Sequence, residues 1–283
     1  MNSFSADWLA LREPYDARAR NPEVMAEVVA ALGHLPAVTI VDLACGTASL
    51  LRALAPRIPV RQTWRLVDND LGLLMRASAT VRSPRVSVTT VPVDLNRDLE
   101  AALDGPHDLI AMSGLLDLVS AEWLERLAVE TAVRSLPIYM ALSYDGRIEF
   151  EPADTADAVI VAAVNAHQRR DKGFGPALGP TAARAAIERF ESLGYAVSHG
   201  LSDWVFGPAD REIQMQVLAG WAGATREVGD LSLGDTVGWL TRRRDAVTAG
   251  RSSIRVGHVD AFARPTGTRR ADRSQSSRRS PSS

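Results

Sequence analysis

A regular alternation of short apolar segments with helical ones most constrains what this chain can fold into. Residues 38–43, 62–67, 86–93, 107–113 and 137–143 are predicted to be strands, and the stretches between them have helical periodicity. The first of these strands is apolar on both faces, which suits a parallel sheet that is covered by helices. Five strands that alternate with helices predict an α/β fold with a doubly wound, mostly parallel sheet.

The second half of the chain is less regular than the first. It predicts a strand at 195–201, which could continue to Phe206, and an alternating strand at 253–262. The remaining segments predict four helices, over residues 155–170, 181–192, 208–227 and 234–249. Glycines flank Phe174 in the loop after the first of these helices, a pattern that suits a lid over a pocket.

Composition divides the chain into three predicted parts. Residues 1–35 form two helices ahead of the first strand, and residues 36–264 form the α/β domain, with helical insertions near 152–180 and 208–250. Residues 265–283 are rich in arginine and serine with almost nothing apolar. Such a segment cannot bury enough surface to fold, so we expect a disordered tail.

Charge and composition exclude several classes of protein. The formal net charge of −2 combines a tail of +4, from five arginines and one aspartate after Pro265, with a body of −6. An acidic body disfavours nucleic acid as the main substrate. No apolar run is long enough to span a membrane, and the N-terminus lacks a signal-peptide pattern, so we expect a cytoplasmic protein. The chain has one cysteine, and its histidines are scattered, so we expect no metal site.

The turn after the first strand is the place to look for a ligand. Ligands of open α/β sheets bind beyond the carboxyl ends of the strands, where the strand order reverses. Asp42 ends this strand, and the small residues Ala44, Gly46 and Ala48 allow backbone to approach a ligand closely. A dinucleotide fingerprint would need glycines where Ala44 and Ser49 stand, which disfavours a nicotinamide or flavin cofactor.

The segment VDLACGTASL, residues 41–50, resembles motif I of the class I S-adenosylmethionine-dependent methyltransferases, D-x-G-x-G-x-G. Alanines replace the first and third glycines of that motif. The resemblance implies that Asp42, Ala44 and Gly46 hold the methionine part of S-adenosylmethionine. It also implies a seven-stranded sheet whose last strand, 253–262, is antiparallel, with extra helices forming a lid on the acceptor side.

Further residues fall where this family places cofactor contacts. Asp68, with Asn69 beside it, resembles the acid that grips both ribose hydroxyls, for which two carboxylate oxygens are well matched. Asp94 resembles the acid that accepts the adenine amino group, with Leu95 near the ring. Ser113 ends the strand that lies beside the sulfonium in the family.

Other assignments for the acids stay open at this stage. Asp70 could bind the ribose in place of Asp68, although it also suits the N-cap of the following helix. Asp98, which starts a helix, could likewise take the place of Asp94 at the adenine amino group. Arg12 lies in a segment that resembles an N-terminal helix closing over the cofactor, and could meet the methionine carboxylate. Cys45 is predicted to be a buried filler, since methyl transfer needs no enzyme thiolate.

The acceptor side has fewer signals. Segments after the fourth and fifth strands form the acceptor pocket in the family, which makes Asp117, Tyr144 and Arg169 candidate substrate contacts. His167 is the candidate general base, because histidine titrates near neutrality and can take a proton from an acceptor. The alternative is a histidine that is merely hydrogen-bonded on a helix.

The resemblance implies a methyltransferase that moves a methyl group from S-adenosylmethionine to an oxygen or nitrogen of a small molecule. Ser-Gly-Leu-Leu follows the fourth strand where enzymes that methylate nucleobase amines or protein glutamine have N-P-P-[YF], which disfavours those substrates. The competing hypothesis is a non-catalytic protein of the same fold that binds the cofactor and regulates a partner. A nicotinamide-dependent reductase is a third hypothesis.

Overall fold

One eight-stranded sheet forms the centre of the molecule in the computed structural model, which describes residues 4–79, 83–229 and 231–267. Its strands, in chain order, are β1 Ala37–Leu43, β2 Arg61–Asp68, β3 Val86–Pro92, β4 Leu109–Ser113, β5 Ile138–Glu151, β6 Tyr195–Leu201, β7 Trp204–Phe206 and β8 Ser253–Pro265.

Helices connect the strands and cover the sheet. They are α1 Ala6–Ala19, α2 Pro22–Leu32, α3 Ser49–Leu54, α4 Leu71–Ala79, α5 Leu99–Ala102, α6 Ala121–Val133, α7 Asp157–Gln168, α8 Ala182–Ser192, α9 Arg211–Val228 and α10 Leu233–Thr248. N-cap side chains begin several of these helices. The Asn21 side chain, for example, accepts hydrogen bonds from the amides of Glu23 and Val24 at the start of α2, where Pro22 needs no partner for its nitrogen.

The strand order is β3-β2-β1-β4-β5-β8-β6, and β7 pairs with a separate part of β8. Neighbours among β1 to β5 are parallel, while β8 runs antiparallel to β5, β6 and β7. This order confirms the doubly wound, mostly parallel sheet with an antiparallel last strand. β1 lies at the reversal of the strand order, between β2 and β4.

Strand lengths differ from expectation in the second half. The predicted strand at 137–143 continues to Glu151, because β5 pairs with β8 along most of its length through two irregularities in register. The predicted strand from 195 ends at Leu201, and a separate short strand, β7, follows it. The sheet therefore has one strand more than the seven expected. Residues 80–82, which precede β3, and most of the predicted tail, residues 268–283, lie outside the described residues.

Two apolar cores lie on the two faces of the sheet, because alternate residues of β1 point in opposite directions. Val41 and Leu43 belong to the core that α6 and α8 cover. Val38 and Ile40 belong to the core that α2, α3 and α4 cover. These cores explain why helices alternate with strands in this half of the sequence.

A third core joins the extra helices to the far end of the β5–β8 ribbon. Its fully buried members include Trp239 of α10, Ile213 of α9 and Ile160 of α7, with Phe206 of β7. Trp8 of α1 packs at its margin. The helices of the second half thus attach to the sheet beside α1. The division of the chain into three parts stays a prediction.

Asp260 of β8 ties three elements together inside the protein. Its carboxylate, which is fully buried, accepts hydrogen bonds from the Tyr139 hydroxyl (2.9 Å), the Leu142 amide (2.8 Å) and the Asn21 amide (3.0 Å). Leu142 lies where the β5–β8 register shifts and has a positive φ of 53°. The carboxylate therefore fixes this irregularity and the start of α2 against β8.

Replacing Asp260 with alanine should lower the free energy of unfolding by roughly 3 kcal/mol, because three donors, two of them buried and one half-buried, lose their acceptor. Tyr139→Phe is the matched control, since it removes one of the three donors and leaves the carboxylate in place. We expect the control to cost about 1 kcal/mol. Urea unfolding measures both, and equal losses in the two variants would contradict this role of Asp260.

Candidate functional site

The turn after β1 is built on three residues with left-handed backbone. Ala44, Gly46 and Ala48 have φ values of 54°, 54° and 66°. These positions match the three glycines of the motif, so two alanines adopt a conformation that favours glycine. The Ala48 methyl group is fully buried in a core, whereas Ala44 and Gly46 line a cavity at the carboxyl edge of the sheet.

Asp68, the last residue of β2, fastens this turn to the neighbouring strand. One carboxylate oxygen accepts the Gly46 amide at 2.9 Å, and the other accepts the Asp70 amide at 3.0 Å. The residue is 9% exposed and lines the cavity. Burial raises the pKa of Asp68, and the two amide hydrogen bonds oppose that rise. Each oxygen keeps capacity for a further hydrogen bond from a ligand.

Asp70, the alternative to Asp68 as the ribose-binding acid, caps helix α4 instead. Its side chain accepts the amides of Gly72 and Leu73 at the start of α4, as an N-cap does. Asn69 stands between the two acids and lines the cavity.

Helix α1 packs over the turn that follows β1. A Cβ atom built on Gly46 would lie 3.2 Å from Cδ1 of Leu9, which shows how closely the helix approaches. Glu13 of α1 also forms a two-pronged ion pair with Arg52 of α3, at 2.5 and 2.6 Å. The helix is thus held over the turn by packing and by charge.

Arg12 reaches from α1 to the end of β4. Its Nε donates to the buried Asp16 carboxylate at 3.0 Å, and the guanidinium lies 5.3 Å from the centre of the Trp204 ring. A Cβ atom at Gly114 would stand 2.9 Å from Nη2 of Arg12. The arginine therefore lies at the cavity with its far nitrogens against the segment that follows β4.

The ends of β3 and β4 supply the next part of the wall. Val93 and Leu95 line the cavity, and the Leu95 carbonyl accepts the Trp123 indole at 2.7 Å. Asp94 between them does not line the cavity, and its side chain, which is 42% exposed, accepts the Asn96 amide at 3.0 Å. Ser113, which ends β4, lines the cavity and accepts a hydrogen bond from the buried Arg20.

The last turn of α7, the segment that follows it and the end of α9 close the opposite side. His167, Lys172, Phe174 and Glu227 all line the cavity. The imidazole Nε2 lies 3.0 Å from a Glu227 oxygen, and Nδ1 lies 3.2 Å from the Lys172 ammonium. His167 is therefore at the site, as predicted, with both ring nitrogens in hydrogen bonds; its function as a base stays a prediction.

The resulting cavity has a volume of about 680 Å³. It brings together eight of the residues that the sequence predicts for the site, namely Arg12, Ala44, Gly46, Asp68, Asn69, Leu95, Ser113 and His167. Cys45 also lines it; burial raises the pKa of its thiol, which leaves the sulfur as an unreactive filler. Among the described residues, no cluster of three or more histidine, cysteine or acidic side chains could hold a metal ion.

Asp42 lies behind the turn rather than on the cavity. It is 1% exposed, and neither carboxylate oxygen has a hydrogen-bond partner among the residues that the structure describes. Burial raises the pKa of Asp42 to about 8, although the charge of the nearby Arg20 opposes the shift.

The three predicted acceptor contacts do not line the cavity. The Tyr144 hydroxyl donates instead to the Asn165 side chain at 2.7 Å, and the Arg169 side chain donates to a backbone carbonyl of its own helix. Asp117, in a short turn after β4, is 6% exposed and accepts a hydrogen bond from the Tyr144 amide. Asp117 and Tyr144 are thus buried beneath neighbouring elements, whereas Arg169 is exposed at the surface.

Sequence reasoning missed several lining residues, among them Leu9 and Asp16 of α1 and Glu227 at the end of α9. Lys172, which also lines the cavity, carries a sequence signal, because it is the only lysine of the chain. Glu227 carries none, since its contact with His167 joins residues 60 positions apart.

Comparison with solved structures finds proteins that are similar to this chain. A cyclopropane-fatty-acyl-phospholipid synthase-like protein from Lactobacillus casei is 13% identical, with 89% of this chain and 98% of that chain covered and a TM-score of 0.51. A SAM-dependent methyltransferase from Geobacter sulfurreducens, solved with S-adenosyl-L-homocysteine, is 17% identical over 93% and 99% of the two chains, with a TM-score of 0.45. No protein-family model matches the chain, and no curated protein is detectably similar to it. At this level of identity, the likeness to the first structure shows a common fold.

Opposite substitutions in the turn should have opposite effects on stability. Gly46→Ala should lower the free energy of unfolding by about 1–2 kcal/mol, because the positive φ strains alanine and the new methyl group meets Leu9. Ala44→Gly should change it little or raise it by up to about 1 kcal/mol, since relief of strain exceeds the entropy that glycine adds to the unfolded chain. Urea unfolding measures both, and a loss of equal size in both variants would argue against a left-handed turn.

Asp117 should make stability depend on pH. Burial raises its pKa to about 6, above the value of about 4 in an unfolded chain. The folded state therefore binds this proton more tightly, and stability falls as the pH rises from about 4 to 6. The fall amounts to at most about 3 kcal/mol, at roughly 1.4 kcal/mol per pH unit.

Asp117→Asn, which keeps an acceptor for the Tyr144 amide, should remove this fall. The measurement is urea unfolding of both proteins at pH 4, 5, 6 and 7. A difference between the two proteins that does not change with pH would show that Asp117 does not titrate in this window.

Proposed function

We propose that this protein is an S-adenosylmethionine-dependent methyltransferase that acts on an oxygen or nitrogen of a small-molecule acceptor. One observation carries the proposal: the Asp68 carboxylate, hydrogen-bonded to the Gly46 amide, faces a cavity at the point where the strand order of the sheet reverses. Ligands of open α/β sheets bind at that point.

The residues around the cavity fit such a cofactor. The volume of about 680 Å³ is within the range of roughly 300–1,000 Å³ that small-molecule sites have. The Asp68 oxygens can accept the two ribose hydroxyls. Leu73, Val93 and Leu95 form an apolar wall that suits the adenine ring, and the adjacent Asp94 is the proposed acceptor for its amino group. Among described residues, no carboxylate lies within ion-pair distance of Arg12 apart from Asp16.

At the other end of the cavity, Arg12 would meet the methionine carboxylate, and the backbone of Ala44 and Gly46 would follow the methionine chain. Asp42 would support this turn from behind. Asn69 would assist Asp68 at the ribose, and Ser113 would stand near the reacting centre.

The cofactor supplies an electrophilic methyl group on a positively charged sulfur. The chain itself binds and orients the two reactants and keeps water away. Helix α1 covers the site through Leu9, and Phe174 closes the opposite side. A cavity with these walls suits a small acceptor. His167 and the adjacent Lys172 are titratable groups in this wall of the cavity, and a base is needed when the acceptor must lose a proton.

Calorimetry with S-adenosylhomocysteine tests the cofactor site. We expect the wild-type protein to bind it and Asp68→Ala to bind it about 30- to 1,000-fold more weakly, because hydrogen bonds to a charged acceptor are lost at a cost of about 2–4 kcal/mol. Asp70→Ala is the matched control, since it removes the cap of α4 and should leave affinity within about threefold. An unchanged affinity in Asp68→Ala would contradict the ribose assignment.

A methyl-release assay with pooled metabolites tests the activity. Turnover on any acceptor supports the enzyme. Binding of S-adenosylhomocysteine without turnover would favour a non-catalytic protein that regulates a partner, and binding of a reduced nicotinamide dinucleotide would favour a reductase.

A further inference from the structure

The single lysine of this chain lies in the wall of the cavity. Lysine and arginine together number 32, and every one of them except Lys172 is arginine. Lys172 is half-buried and lines the cavity between His167 and Phe174. An amine stands here in a chain that otherwise uses guanidinium groups for its positive charges. The two groups differ in one respect that matters for catalysis, because lysine can lose its proton and arginine cannot.

Three side chains form a line from the cavity to solvent. The Lys172 Nζ lies 3.2 Å from Nδ1 of His167, and Nε2 of the same ring lies 3.0 Å from a Glu227 oxygen. The side chain of Glu227 is 64% exposed, so the line ends in water. Each distance allows a hydrogen bond and therefore the transfer of a proton.

The hydrogen bonds fix which groups can take part. When Lys172 is protonated it can only donate, so Nδ1 of His167 accepts from it and the ring proton lies on Nε2, which donates to Glu227. The neutral amine can keep this arrangement, because it still donates one N–H to Nδ1 and has its lone pair for an acceptor. The basic nitrogen of the imidazole is thus already occupied. Among these three residues, the amine of Lys172 is the group that can meet an acceptor in the cavity.

The loop around Lys172 is held in place against α6 and the segment that precedes it. One Asp171 oxygen accepts the amides of Gly173 (2.6 Å) and Gly175 (3.0 Å). The Phe174 ring packs on Trp123, with 5.4 Å between ring centres. Farther along, the Leu178 amide donates to the Val119 carbonyl at 2.8 Å. Lys172 is therefore a positioned side chain rather than a loose surface one.

The surroundings of Lys172 favour its neutral form more than water does. Burial lowers the pKa of Lys172, and the charge of Arg170 acts in the same direction. The charges of Glu227 and Asp117 oppose this change. The other titratable neighbours are His167 and the adjacent Asp171.

We propose that Lys172 removes the proton from the methyl acceptor and that His167 and Glu227 conduct it to solvent. The inference rests on the methyltransferase function proposed above. The neutral amine takes the proton of an acceptor O–H or N–H. The electron pair left on that atom forms the new bond to the methyl carbon, while the bond from carbon to sulfur breaks and its electrons stay on sulfur.

The proton then passes through His167 and Glu227 to water. The Lys172 ammonium passes one proton to Nδ1 of His167, and Nε2 passes its own to Glu227, which releases it to water. Exchange with water returns the ring to its starting tautomer. Lys172 is the catalytic residue in this scheme, and His167 and Glu227 are relay residues.

The single lysine makes a direct test possible without knowledge of the acceptor. Protein labelled with [15N]lysine gives one side-chain Nζ signal, whose pH titration is followed by NMR with S-adenosylhomocysteine present. We expect the midpoint below the value of about 10.4 for free lysine. Glu227→Gln should lower it further, because a negative charge is lost, and His167→Gln should also shift it. Glu188→Gln, at an exposed acid on α8, is the matched control and should leave it unchanged.

The outcomes separate the two proposals. If the protein binds S-adenosylhomocysteine, a Lys172 titration midpoint at the free-lysine value would overturn the relay. A midpoint that changes in neither Glu227→Gln nor His167→Gln would also overturn it. Failure of wild-type protein to bind S-adenosylhomocysteine would instead overturn the methyltransferase proposal.

A second arm uses an acceptor found in the methyl-release assay. Lys172→Arg keeps the positive charge but cannot take a proton, so turnover should fall about 100-fold or more with affinity for S-adenosylhomocysteine unchanged. Added ethylamine should restore part of the turnover of Lys172→Ala. Full turnover in Lys172→Arg would show that Lys172 acts as a fixed charge and would contradict the proposal.

Discussion

The position of β1 is the constraint on which the site depends. This strand pairs in parallel with β2 on one side and β4 on the other, at the reversal of the strand order. The chain segments that leave β1 and β4 therefore diverge and open a crevice beyond the carboxyl ends of the strands. The hydrogen bond from the Gly46 amide to Asp68 then ties the turn after β1 to β2 and places a carboxylate at the crevice.

Strain and packing at the turn show how the chain maintains this arrangement. Ala44 and Ala48 hold left-handed backbone that glycine would adopt more easily, so surrounding contacts must supply the stability that the turn lacks. Helix α1 supplies some of them. It presses Leu9 on Gly46 and pairs Glu13 with Arg52, so the cover of the cavity and the shape of the turn depend on each other.

The sequence predicted the parts of this molecule that local patterns determine. Apolar runs located the strands of the first half, and the positions of Asp68 and Asp70 at a strand end and a helix start followed from short-range chemistry. Such local patterns could not predict contacts between segments that are distant in sequence. The pairing of β5 with β8 lengthens β5 past Ser143, and the approach of α9 to α7 brings Glu227 to His167. Asp117 and Tyr144 follow the predicted strands but are turned away from the cavity by burial.

A crystal structure of the protein with S-adenosylhomocysteine bound would test the central claim most directly. The account predicts the ligand in the cavity, with its ribose hydroxyls on the Asp68 carboxylate and its sulfur between the end of β4 and the loop that carries Lys172. A ligand bound at another place on the protein, or a ribose that does not touch Asp68, would contradict it.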